Sequence, residues 1–78
     1  MKIIVRAIWD AEAKVWVAES KNVPGLATEA DTIEALTAKL HNIIPELLIF
    51  NNVIAKNYSG SINFELSTVR QELIQVGQ

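Results

Sequence analysis

The residues that could do chemistry are few and dispersed. His41 is the single histidine, cysteine is absent, and the nine carboxylates are Asp10, Glu12, Glu19, Glu29, Asp31, Glu34, Glu46, Glu65 and Glu72. A catalytic histidine works on a nucleophile, or is oriented by a third group, within hydrogen-bond reach. No Ser-His-Asp or Cys-His arrangement accompanies His41, so it reads as a half-exposed helix residue. Metal-assisted hydrolysis of the two-metal kind needs several acidic groups converging within a few ångströms. The carboxylates here fall mostly at turns and strand edges, and Asp10 with others is what a residual metal-dependent nuclease would use. The most organised stretch, "VPGLATEADTIEAL" at 23–36, has one glycine and neither a Lys-Ser/Thr pair nor a GxGxxG pattern. It is therefore not a phosphate cradle. Trp9 and Trp16 could stack on bases. Against that, the net charge is −2, the isoelectric point about 5.2, and no Arg/Lys run occurs. They read better as core or interface anchors, and direct nucleic-acid binding is not expected. Neither a metal nor a cofactor is expected.

The elements that position these residues follow from periodicity. Residues 2–9 are rich in β-branched and aromatic types and read as a strand, with Ile3, Val5, Ala7 and Trp9 on one face and Lys2, Ile4, Arg6 and Ile8 on the other. "DAEAK" at 10–14 is a polar turn, and "VWVAES" at 15–20 is a second strand that should pair antiparallel with the first. Pro24 fixes its own φ and keeps Val23 extended. Gly25 can supply the positive φ that position i+2 of a type II turn requires. Residues 26–30 form a short third strand.

Asp31 is the predicted helix N-cap, with Glu34 completing a capping box and complementing the helix dipole. Ile33, Leu36, Leu40, Ile43, Ile44 and Leu47 form an apolar stripe at helical spacing. Pro45 interrupts it: either the helix bends there, or a second short helix begins with Pro45 in its first turn. Four consecutive apolar residues, 47–50, cannot all face one neighbour, and Ile49 is predicted to point away from the stripe. Asn51 and Asn52 read as the stop, 55–61 as loop, and 62–69 as a strand. Residues 70–78 either extend that strand or turn helical.

The 78 residues make a single domain, 1–78, too short for two. The fold class is α+β and two-layered: three antiparallel strands, one main helix and a final strand. The opposite sheet face lacks intramolecular cover, and Ile4, Ile8 and Trp16 are predicted to lie on it. Hydrophobic residues make up 50% of the chain, which fits either one well-filled core or a homo-oligomer that buries the surplus. The N-terminus has no signal-peptide pattern and no apolar run spans a bilayer, so a cytoplasmic location is expected.

Taken together, "WDAEAKVWVAES", "NVPGLATEADTIEAL", "IIPELL" and the strand "NFEL" resemble the small HicB-like domains, most closely an uncharacterised bacterial branch of that superfamily. The similarity runs from about Lys2 to Leu66. HicB proteins are antitoxins of HicA-type toxins, which are small RNA-cleaving proteins. The resemblance implies a partial ribonuclease H fold without the catalytic acidic set, in which the domain binds and covers the toxin. The C-terminal DNA-binding module that usually follows is not expected in the short stretch after the last strand. The resemblance also implies that the corner at Pro24 and Gly25 and the strand at 26–29 lie at a sheet edge. This adds Leu26 and Thr28 to Ile4, Ile8, Trp16 and Ile49 as interface candidates. The leading expectation is a non-catalytic protein-interaction module, antitoxin-like, binding a small basic toxin. An orphan homo-oligomer and a residual nuclease are the alternatives.

Overall fold

The computed structural model describes residues 2–77. Five elements follow in order: β1 (Lys2–Asp10), β2 (Val15–Glu19), β3 (Thr28–Ala30), α1 (Ile33–Phe50) and β4 (Asn63–Val69). One mixed sheet has the order β3-β2-β1-β4, with β1 antiparallel to β2, β2 antiparallel to β3 and β1 parallel to β4. The helix covers one face, which gives the expected two-layer α+β architecture.

The strand periodicity sets the two faces. Ile3, Val5 and Ala7 are buried, and their neighbours Lys2, Ile4 and Arg6 are exposed. The first turn is held by Asp10, whose side chain accepts from the N–H groups of Glu12 and Ala13 at 3.1 Å each. Lys14 closes the turn with φ 57°, its N–H donating to the Asp10 carbonyl at 2.7 Å. Such Asx geometry is why Asp favours turns.

β2 ends at Glu19, before β1 runs out of groups to pair. Two side chains take over. Ser20 Oγ donates to the Ile4 carbonyl at 2.6 Å, and the Ile4 N–H donates to Asn22 Oδ1 at 2.8 Å. The Ile4 backbone is thus satisfied by side chains acting as a surrogate strand, which frees residues 21–27 to swing across the helix end.

The helix starts one residue later than predicted. Thr32, not Asp31, is the N-cap: it is extended (φ −132°, ψ 158°) and its Oγ1 accepts from the Ala35 N–H at 3.0 Å. The apolar periodicity begins at Ile33, so the residue next to Ile33 takes the cap. With the cap shifted, Glu34 does not complete a capping box, but it still sits in the first turn near the positive end of the helix. The helix runs unbroken through Pro45, so no second helix starts there. The bond Pro45 cannot donate would have gone to the carbonyl of His41, an exposed residue, where water can replace it.

The buried spine is Leu36, Leu40, Ile44 and Leu48. Each i+4 step turns about 40°, so the stripe drifts around the helix and ends on Leu48, which the sequence reading left out. Ile49 does not point away. It is half-buried and packed against the core, whereas Phe50 is 81% exposed. The chain doubles back after Asn51, with the Val53 and Ile54 N–H groups both on the Leu48 carbonyl. That reversal brings Ile54 into the core at the end where Ile49 lies. Asn51 is the C-cap and Asn52 has φ 59°, as the stop signal required. Among the described residues no polar side chain is buried.

Candidate partner-binding surface

The Pro-Gly corner is a hydrogen-bonded turn: the Leu26 N–H donates to the Val23 carbonyl at 3.1 Å, with Gly25 at φ 83°. Bond and φ together match the predicted type II turn. Val23 is fully buried beneath it. Asn51 Nδ2 bridges the Pro24 carbonyl (3.0 Å) and the Leu47 carbonyl (2.8 Å), so the C-cap of the helix also fastens the corner. A Cβ on Gly25 would lie 3.7 Å from Leu47 Cδ2, which is ordinary contact, so the backbone conformation rather than space selects glycine there.

This corner delivers the chain into β3, an edge strand whose residues pair Ala18↔Thr28, Val17↔Glu29 and Trp16↔Ala30. Lys39 Nζ donates to the Glu29 carbonyl at 2.6 Å and ties the strand to the helix. A shallow depression lies alongside, lined by Val17, Leu26, Thr28, Glu29 and Lys39. Leu26 and Thr28, both half-buried, line it together; the expected edge strand is present but begins at Thr28, with Leu26 in the corner before it.

The uncovered sheet face carries Ile4, 45% exposed, and a row formed by Val17, Ile8 and Val69, which the strand registers set side by side. Two exposed ion pairs cross it, Arg6 with Glu19 at 3.1 Å and Lys2 with Glu65 at 3.4 Å. Beside Ile4 the surface dips between Arg6, Glu19 and Asn22. Trp16 is absent from this face, contrary to expectation. Its register partners are Trp9 and the buried Ala30, and it shares a strand face with the buried Ala18 two residues on, so it lies on the helix side of the sheet. Strand alternation by itself puts Trp16 with Ala18 and opposite Val15 and Val17. What it could not give was which of the two faces the helix covers.

The tryptophans form a tilted pair with ring centroids 5.2 Å apart. Arg70 caps them, its guanidinium carbon 4.3 Å from the Trp9 centroid and 6.0 Å from that of Trp16. The sequence reading did not find Arg70, because no local pattern marks an arginine that stacks on rings so distant along the chain. His41 is exposed and packs its ring in a T-shaped contact with Phe64, centroids 5.5 Å apart. Among the described residues no three His, Cys, Asp or Glu side chains gather where they could hold a metal ion. No helix in this range is long and apolar enough to cross a membrane.

No curated protein matches the chain. A solved structure of a hypothetical protein from the extremely thermophilic bacterium Thermus thermophilus is similar at 43% identity and a TM-score of 0.74, over 95% of this chain and 100% of that one. A family model described as a domain of unknown function, DUF1902, matches residues 2–76, and the chain belongs to that family.

Proposed function

We propose that this chain is a non-catalytic, HicB-like protein-binding domain that neutralises a small basic RNA-cleaving partner by covering it. The carrying observation is the β3 edge. Edge strands offer unpaired backbone to another chain, and added strands are a recurrent mode of recognition. This one is short and preset by the type II corner and the Asn51 bridge, so docking against it would cost little ordering entropy. Lys39 already holds the Glu29 carbonyl, so an added strand would pair with the Glu29 N–H and take that carbonyl from the lysine. The net charge of −2 suits a basic partner. A cytoplasmic location is part of this reading, since such a partner acts on cellular RNA.

The test is an RNA-cleavage assay with a small basic HicA-type protein, taken from the reading frame next to this chain's where that frame encodes one. Cleavage should stop at one equivalent of the chain. Thr28→Lys should restore it while leaving the circular dichroism spectrum intact. Undiminished cleavage at excess chain would sink the reading and leave an orphan oligomer, the alternative that the apolar C-terminal segment favours.

A further inference from the structure

We propose that residues 70–76 form an arm that two copies of this chain exchange, each arm adding as a strand to the outer edge of the other copy's β4. The inference is independent of the toxin reading, because it uses the opposite edge of the sheet. Its starting point is a register that runs out. β4 pairs with β1 from Lys2↔Asn63 to Ile8↔Val69. Continued, it would set Gln71 beside Asp10, where β1 ends and the turn begins. Beyond that point the chain has no internal strand to pair with. Residues 70–77 are exposed and belong to no helix or strand, and the described chain is 61 Å long by 19 Å by 19 Å.

The arm is apolar where an ordinary tail would be polar. Leu73, Ile74 and Val76 are 84%, 80% and 90% exposed. Its own β4 edge is out of reach, because folding back needs a tight reversal at 69–71 and "VRQELIQV" holds no Gly, Pro, Asn or Asp to make one. A second copy offers the same edge without a reversal. β4 is an outermost strand, so one side of its backbone is free.

The register is specified as well. Antiparallel pairing requires opposed residues to share a face. A two-fold axis at Val69 meets that condition and opposes Phe64 with Ile74 and Ile62 with Val76. In each copy, Phe64 and Ile62 pack against the core and line a groove with Leu40, His41 and Ile44 of the helix. Ile74 and Val76 would enter that groove from the other copy. Leu73 falls on the open face, opposite Glu65 and on the same side as Ile4 and Val69. Moving the axis to Arg70 sets arginine against arginine, and moving it to Thr68 sets Phe64 against Glu72; both are unfavourable. The contact is isologous and closed, the usual geometry of a homodimer. Its paired segments, 62–76, have fifteen residues each and run about 50 Å at roughly 3.4 Å per residue.

Light scattering coupled to gel filtration tests this on the full chain. The parent should run at twice the 8.6 kDa chain mass. The double variant Ile74→Asp, Val76→Asp should run at one chain mass over the same concentrations and keep the parent's urea-unfolding cooperativity, losing from its circular dichroism spectrum only the strand signal of the arm, because both side chains are exposed in the single chain. The chain has no cysteine, so Val69→Cys should give an oxidised two-chain species, and Glu12→Cys in the exposed first turn should not. A parent of one chain mass at every concentration overturns the proposal. So does a double variant that still dimerises, or a Val69→Cys chain that cross-links no better than Glu12→Cys.

Discussion

The two edges of the sheet are built on opposite plans. β3 has three residues, is fed by a hydrogen-bonded corner, and is fastened to the helix through Lys39 and, by way of the corner, Asn51. β4 has seven residues and runs on into an arm held only at its root, where Arg70 lies over Trp9. One edge is short and pre-ordered; the other is long and incomplete. Short edges resist indiscriminate pairing, and long flat ones invite it. The first plan suits a selective partner and the second a self-complementary one.

The comparison breaks most severely where both edges share support. Leu40 is fully buried at the centre of the helix spine. Leu40→Ala should cost about 2–5 kcal/mol in urea unfolding and speed amide exchange at both edges together. If only one edge responds, the helix is not their common foundation.

Gly25→Ala should separate them. Its φ of 83° is left-handed, so the added Cβ should cost about 1–2 kcal/mol. The loss should appear as faster exchange at Thr28–Ala30, with β4 unaffected. An unchanged urea midpoint would mean that the corner is not held as described.

The helix cap separates two neighbouring residues. Thr32→Ala should lower stability by about 1 kcal/mol, whereas Asp31→Ala should stay within about 0.5 kcal/mol. The reverse order would restore Asp31 as the cap.

That last pair also shows where the sequence was legible. Strand faces, the type II turn and the Asn51 stop could be read because each depends on two to four adjacent residues. The cap slipped by one residue because Asp31 and Thr32 are both competent, and only the docking of Ile33 decides between them. Ile49 and Trp16 were misplaced for a different reason. The burial of Ile49 depends on the reversal at 51–54, and that of Trp16 on which sheet face the helix chooses. Both are long-range outcomes with no local signature. The β3 edge was legible because a Pro-Gly corner announces it. The arm was not, because its character comes from where β1 ends, at the other end of the chain.

The smallest effect should come from the root of the arm. Arg70 stacks at 4.3 Å on Trp9 in a half-exposed site, an arrangement worth about 0.5–1 kcal/mol. Its ion pair with Glu72 is local and exposed, so it adds little. Arg70→Gln removes the charge and keeps a polar side chain of similar reach. The urea midpoint should therefore move only slightly, while tryptophan emission should change, because the cation leaves the faces of both rings. An unchanged spectrum would mean that Arg70 does not rest on the pair, and the arm would then lack a fixed origin. A changed spectrum with an unchanged midpoint would sharpen the contrast, since β4 would then be an edge whose arm is aimed by the tryptophans without the fold depending on it.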